Sequence, residues 1–357
     1  MTNTMNRRTF VGVGIASGIS LAASARARRD DDQVLGHGQH RFRVVKGWGV
    51  QDPGKVPVRD CHEMVQVRDG RLFLFGNHTK NNVIIYNRDG KVLDTWGTEF
   101  PGGHGCTLVD ENGEEFLYLT DPERHQVFKT TLDGRVILTL DAPLEADEYS
   151  EAGRYKPTET AIAPNGDIYV ADGYGSQYLL HYSPEGALKG VYAGPPVEQG
   201  RLEATPPGGG FNNMHGVVMD VRDPGKPSLL LTARAQNRFK RFSLAGEHIE
   251  TVALPGAWIC RPVFFGRNLA FAVIISGLES WQSNRSGFVA ILDEHNKVVS
   301  CPGGHEPKYA DDELQALSQS RPDVFMHPHD VCFDDDGNLY VPQWNSAQTY
   351  PVKLERV

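Results

Sequence analysis

The feature that most constrains this chain is a hairpin unit that returns six times. Short runs rich in Val, Ile, Leu, Phe and Tyr are separated by Asp-Gly or Asn-Gly turns, as in "VRDGRLFLFG", "TLDGRVILTL" and "APNGDIYVAD". These dipeptides supply the positive φ angles that a tight hairpin requires. Aligned copies begin at His62, His104, Thr158, His215, Arg261 and His329, each about 40 residues or more with its connecting loop. Each reads strand, turn, strand, loop, strand, turn, strand. One such unit cannot bury its apolar face alone, and six stacked around an axis can. The expected fold is all-β, a six-bladed β-propeller. The last copy stops after its third strand, and "HRFRVVKGWGV", residues 40–50, is placed to supply the missing outer strand. That N-terminal strand closes the ring and removes two exposed edges. Residues 40–357 therefore form one domain. The best helical candidate is "ADDELQALSQS", 310–320, which opens on aspartates and carries Leu314 and Leu317.

Upstream, residues 1–25 read as an export signal. Arg7 and Arg8 precede Phe10 and a short run rich in Gly, Ala and Ser that ends at Ala23-Ser24-Ala25. That is a charged start, a modest apolar stretch and a small-residue cleavage site. The paired arginines match a twin-arginine signal, so the export partner expected is the twin-arginine machinery and the destination periplasmic or secreted. The apolar run is too short for a membrane span, which needs ~20 residues. Residues 26–39 read as a flexible lead-in.

The formal net charge is −9, and −11 once Arg7 and Arg8 leave with the signal. An acidic surface disfavours nucleic acid and anionic membranes as partners. Five cysteines are scattered without a CxxC pair; Cys61, Cys106, Cys260 and Cys332 sit in or beside apolar runs and read as buried thiols.

The first strand of every blade lines the axis of a propeller, so the six starting positions form a ring at one depth. Four of them, His62, His104, His215 and His329, are histidines, and His327 lies two residues before the last. Imidazoles from separate blades can share one transition metal. The bland alternative is a polar plug of histidines bonded to backbone carbonyls. Arg261 holds the blade-five position; its guanidinium grips substrate or pairs with a carboxylate such as Glu63 or Glu159, and the substrate is the favoured partner. His125, His181, His248 and His295 fall on outer strands or turns and read as surface residues. Asp121 and Asp172 close strands and read as turn caps. The long loops "APLEADEYSEAGRYKP", "PPVEQGRLEATPPGGGFNN" and "GGHEPKYADDELQALSQSRPDVFM" each enter an innermost strand, which gathers them on one face.

The segments "HGCTLVDENGEEFLYLTDPERHQVFK", "KPTETAIAPNGDIYVADGYGSQYLLHYSPEG", "HGVVMDVRDPGKPSLLLTARAQNRFKRF" and "MHPHDVCFDDDGNLYV" resemble successive blades of NHL-type propellers, above all those of peptidyl-α-hydroxyglycine α-amidating lyases. The resemblance covers roughly residues 40–357. It implies a catalytic zinc on His104, His215 and His329; His62 and His327, which the family's set lacks, are further candidate ligands in this chain. It also implies a base at Tyr174, a substrate-binding Arg234 with Arg238 four residues on, and Asp330 as the partner that orients a ligand ring. A structural Ca²⁺ is a further candidate. Two positions depart from the family: Asn77 or His78 stands where it has an arginine, and His327 where it has a methionine. Loss of that arginine removes a fork that could grip a carboxylate.

These features point to an exported metal-dependent lyase acting on a small or carbohydrate-like substrate, with Tyr174, Arg234 and Arg261 as catalytic residues. A non-catalytic ligand- or protein-binding module is the main alternative. A calcium-type sugar-lactone hydrolase ranks third, because an imidazole ring suits Zn, Cu or Fe better than Ca.

Overall fold

The structure is a computed structural model that describes residues 34–196, 207–276 and 286–357. The export signal lies outside the described residues. Within them every sheet but one small ribbon is a propeller blade, and there is no α-helix, only three short 3₁₀ turns.

Blade one is built from Cys61–Gln66, Leu72–Gly76, Val83–Tyr86 and Val92–Trp96, all antiparallel. Blades two to five repeat the plan, with innermost strands Cys106–Glu111, Glu159–Ile162, Met214–Asp220 and Ala257–Phe265. Blade six starts at Cys332–Phe333 and ends on the C-terminal strand Val352–Arg356, which pairs with His40–Val45 in the register Phe42↔Arg356 and Val44↔Leu354. The ring is therefore closed by a strand from the far end of the chain, as the truncated last repeat requires. The expected lead-in ends sooner than residue 39. Val34–His37 turns back on His40–Val45 as a fifth strand, with Leu35 buried between blades five and six.

Packing follows from the alternation of the strands. Six apolar clusters lie between successive blades, each drawing side chains from two sheets; Phe73, Phe75, Leu117 and Leu119 join blades one and two, for example. Twisted sheets packed face to face in this way carry the stability of the ring. All five cysteines are buried free thiols within it.

Two expectations fail locally. Residues 310–320 form no helix: Tyr309–Ala310 pairs with Glu313–Leu314. Asp311 and Asp312 take φ values of 50° and 63°, the left-handed pair of a tight hairpin turn. Leu317 leaves that ribbon to fill the core beside Leu254 and Ala257. His181 is not on the surface; it is buried, stacked on Tyr169 and bonded to Asp167 at 2.8 Å.

Candidate metal centre

Four of the six ring positions do meet on the axis. His104, His215 and His329 are each 1% exposed and His62 is 5% exposed, so all four rings are out of bulk water. The ring centres of His104 and His329 lie 4.6–4.8 Å from those of the other three. The ladder slips beside three ring positions, between Cys61 and Glu63, Met214 and Val217, and Ile259 and Pro262. Such bulges re-aim side chains, here toward the axis.

Hydrogen bonds fix which nitrogen is free. His104 Nδ1 lies 2.8 Å from the carbonyl of Thr158, and His329 Nδ1 lies 3.1 Å from that of His62. A carbonyl only accepts, so in both rings Nδ1 carries the proton and Nε2 keeps a lone pair. The Nε2 of His215 is 3.2 Å from that of His329. The Nδ1 atoms of His62 and His215 are buried with no hydrogen-bond partner among the described residues. Ligand nitrogens of His62, His104 and His329 all lie within 4.8 Å of one another. This differs from the trio implied by the family resemblance; His215 joins through His329. The cluster can bind a metal: neutral imidazoles with orphaned nitrogens and fixed tautomers are what a transition ion takes. A plug of histidines bonded only to carbonyls would leave no such orphans.

Burial, then the charges of Arg234 and Arg59, push the His62 pKa down to about 3. Burial likewise holds His104, His215 and His329 well below the ordinary imidazole range, with the neighbouring histidines and Arg234 adding to it. Since the unfolded chain binds these protons near pH 6.5 and the folded one does not, acid favours unfolding. The metal-free protein is expected to lose stability as the pH falls below about 6.5, by about 1 kcal/mol per pH unit for each ring that stays neutral. Melting curves at pH 7, 5.5 and 4.5 check this; a melting temperature unchanged across them contradicts it.

Tyr174 stands over the cluster. Its hydroxyl is 3.1 Å from His104 Nε2, and its ring packs edge-on to His104 and His215. The supporting loop is pinned by Asp172, which accepts from the backbone N–H of Lys156 and Ser176 and from the Tyr149 hydroxyl at 2.6–2.7 Å. Asp121 caps its own turn in the same manner. Glycine is required on both sides of Tyr174. A Cβ on Gly173 would lie 1.9 Å from the Met214 carbonyl oxygen, and one on Gly175 would lie 2.1 Å from Asp172. Tyr174 is 38% exposed overall, and it is desolvation at its hydroxyl, held against the cluster, that raises its pKa, with the Arg234 guanidinium opposing the rise.

Arg234 itself is 2% exposed. One terminal nitrogen sits 3.4 Å from the Cys260 sulfur, Nε has no partner, and no carboxylate pairs with it among the described residues. A buried guanidinium without a carboxylate is costly, and the Tyr174 hydroxyl is its other polar neighbour. Arg238 points elsewhere, its Nε donating to the Gln236 carbonyl.

The remaining assignments change. Arg261 does not face substrate. Its guanidinium donates to Asp330, to the carbonyls of Cys106 and Met64, and lies 3.2 Å from Glu63 and 3.7 Å from Glu159. Asp330 orients no ring; it accepts from Arg261 and from the Met64 N–H, while backbone carbonyls orient the imidazoles. The guanidinium fills this oxygen-rich cage. His327 is not one of the converging rings: its Nδ1 is 3.3 Å from the Asn345 carbonyl and it packs beside Trp344.

The cluster opens into a cavity of about 650 Å³, with His62, His104 and Tyr174 in its wall and Arg59, Lys156, Asn77, Glu123 and Trp344 around it. Arg59 and Lys156 were not singled out in the sequence. Their signal was position: each precedes an innermost strand, on the face where the long loops gather. They bring cations to the cavity wall that also carries Asn77.

The fold and site define a six-bladed propeller of NHL type with a buried imidazole centre, lyase-like in its resemblances. No family model matches the sequence. Over 108 residues it is 35% identical to the Caenorhabditis elegans protein named "Probable peptidyl-alpha-hydroxyglycine alpha-amidating lyase pgal-1", covering 30% of each chain. Over 106 residues it is 40% identical to peptidyl-alpha-hydroxyglycine alpha-amidating lyase 1 of Drosophila melanogaster, covering 28% of this chain and 18% of that one. A longer stretch of 267 residues is 25% identical to peptidyl-glycine alpha-amidating monooxygenase B of Xenopus laevis, covering 72% of this chain and 27% of that one. The matches thus span less than a third of each relative. Among solved structures, a streptogramin B lyase superposes with a TM-score of 0.53 over 84% of this chain and 94% of its own. A gluconolactonase from Xanthomonas campestris superposes with 0.56 over 92% and 99%. Both are 13% identical and show the fold alone. No helix among the described residues is long and apolar enough to cross a membrane.

Proposed function

We propose that this chain is a metal-dependent lyase that opens a carbon–nitrogen or carbon–oxygen bond in a small carbinolamide- or carbohydrate-like substrate, and that it works in the periplasm or outside the cell after twin-arginine export. The observation that carries this reading is the convergence of neutral imidazoles and the Tyr174 hydroxyl at one end of a large cavity, with Arg234, free of any carboxylate, beside Tyr174. His104, His215 and His329 would hold the ion, with Zn²⁺ the best match to an all-imidazole set. When bound there it supplies positive charge that acidifies the neighbouring phenol and polarises a substrate oxygen.

The chain's own groups supply the rest. Tyr174, as phenolate, takes the proton of the substrate hydroxyl. The C–O bond becomes a carbonyl, the C–N or C–O bond to the leaving group breaks, and the leaving atom takes up a proton. Arg234 holds negative charge beside the reacting centre. Arg59 and Lys156 at the mouth favour a substrate with an anionic group, and Trp344 offers it an apolar face.

Tyr174→Phe is expected to lower turnover by about 10²–10⁴-fold, the usual worth of a positioned acid–base group, and to leave metal content unchanged. The assay uses α-hydroxyglycine-terminated model peptides, with sugar lactones as substrates of the alternative hydrolase reading. Turnover that survives Tyr174→Phe removes the tyrosine from the mechanism. A native protein inert toward both classes and indifferent to chelation favours a non-catalytic binding module.

A further inference from the structure

We infer that His62 is a fourth protein ligand, so that the metal is held by four imidazoles from blades one, two, four and six. This rests on the reading that the cluster holds a metal. His62 lies 4.8 Å from His104 and 4.6 Å from His329 between ring centres, within the same spacing as the other rings. Its nitrogen falls inside the 4.8 Å group that contains theirs.

Two further observations separate His62 from a bystander. His104 and His329 each commit Nδ1 to a backbone carbonyl, whereas the buried Nδ1 of His62 has no hydrogen-bond partner among the described residues. A buried ring nitrogen left without a partner calls for a ligand. In addition, the carbonyl of His62 receives the Nδ1 proton of His329, so the same residue offers a donor and orients its neighbour.

A fourth imidazole alters the chemistry of the centre. Three histidines leave an open position for water or substrate, whereas four close the ordinary tetrahedral set. A substrate oxygen would then reach such an ion only as an additional donor or in place of one imidazole. His62 borders the cavity together with His104 and Tyr174, which makes it the ring at the substrate boundary. Four neutral donors also carry no charge of their own, which favours an anionic oxygen from the substrate as the additional ligand.

The test uses the full chain loaded with Zn²⁺ or Co²⁺. X-ray absorption of the native Zn²⁺ form is expected to count four imidazole nitrogens per ion. His62→Ala is expected to weaken Co²⁺ binding beyond the ~10–100-fold typical of losing a mere outer partner and to shift the visible bands, and added imidazole should restore both. Three imidazoles in the native protein, or a His62→Ala variant with unchanged affinity and bands, would overturn the assignment while leaving the three-histidine site standing. A native chain that binds neither ion overturns both. The absorption measurement needs no variant, so misfolding of His62→Ala leaves the question decidable.

Discussion

Arg261→Met is expected to lower the melting temperature by about 10 °C, the largest effect of any single substitution on stability. One guanidinium, 8% exposed, ties together Glu63 of blade one, Glu159 of blade three and Asp330 of blade six, and caps the carbonyls of Met64 and Cys106. Burial lifts Glu63 well above the ordinary carboxylate range and raises Asp330, with Arg261 opposing the rise in both. Methionine matches the bulk and removes the charge. Three carboxyl groups would then lie in the channel without a cation, and breaking a buried pair in this way costs about 3–5 kcal/mol. In a propeller of this size that is on the order of 10 °C. A variant melting within 2 °C of the native protein, a bound set at ~1 kcal/mol or less, would show that the cluster is incidental.

Removal of the metal has the largest expected effect on function. Dialysis against a strong chelator should take turnover to background, and about one equivalent of Zn²⁺ per chain should restore it. His329→Ala should reproduce the loss without rescue by Zn²⁺. His329 reaches His215 at 3.2 Å and takes its orientation from the carbonyl of His62, so its removal takes one donor from the centre and leaves the His215 Nε2 without its neighbour. Its affinity for the ion is expected to fall by more than ~100-fold, read by competition with a chromophoric chelator. Turnover that persists in the chelated protein, or full metal content in His329→Ala, would sink the metal-dependent reading.

Much of this was legible in the chain. Asp-Gly and Asn-Gly turns at repeating intervals announced hairpins, six copies announced six blades, and the shortened last copy announced a closing strand from residues 40–50. The register of Phe42 with Arg356 is the outcome. Histidines at equivalent positions of four blades announced a shared centre. Arg261 was misplaced by one residue: in the structure it lies beside Gly216, one past ring position His215, and Cys260 takes the blade-five ring position beside Arg234. The carboxylates at Glu63, Glu159 and Asp330 all stand one residue past a ring position. The strand period of two turns them away from the imidazoles and toward Arg261. Residues 310–320 misled because two aspartates before spaced leucines suit a helix start as well as a hairpin turn.

What the sequence determined by itself was the architecture and the inventory of donors, because repeats and turn chemistry are local and recur along the chain. What only the tertiary structure decided was allocation. It separated four imidazoles that converge from a fifth, His327, that does not. It gave Arg261 to structure and left Arg234 without an anion, and it brought Arg59 and Lys156 to the mouth. Those outcomes depend on distances between blades far apart in the chain, set by how six twisted sheets pack around one axis.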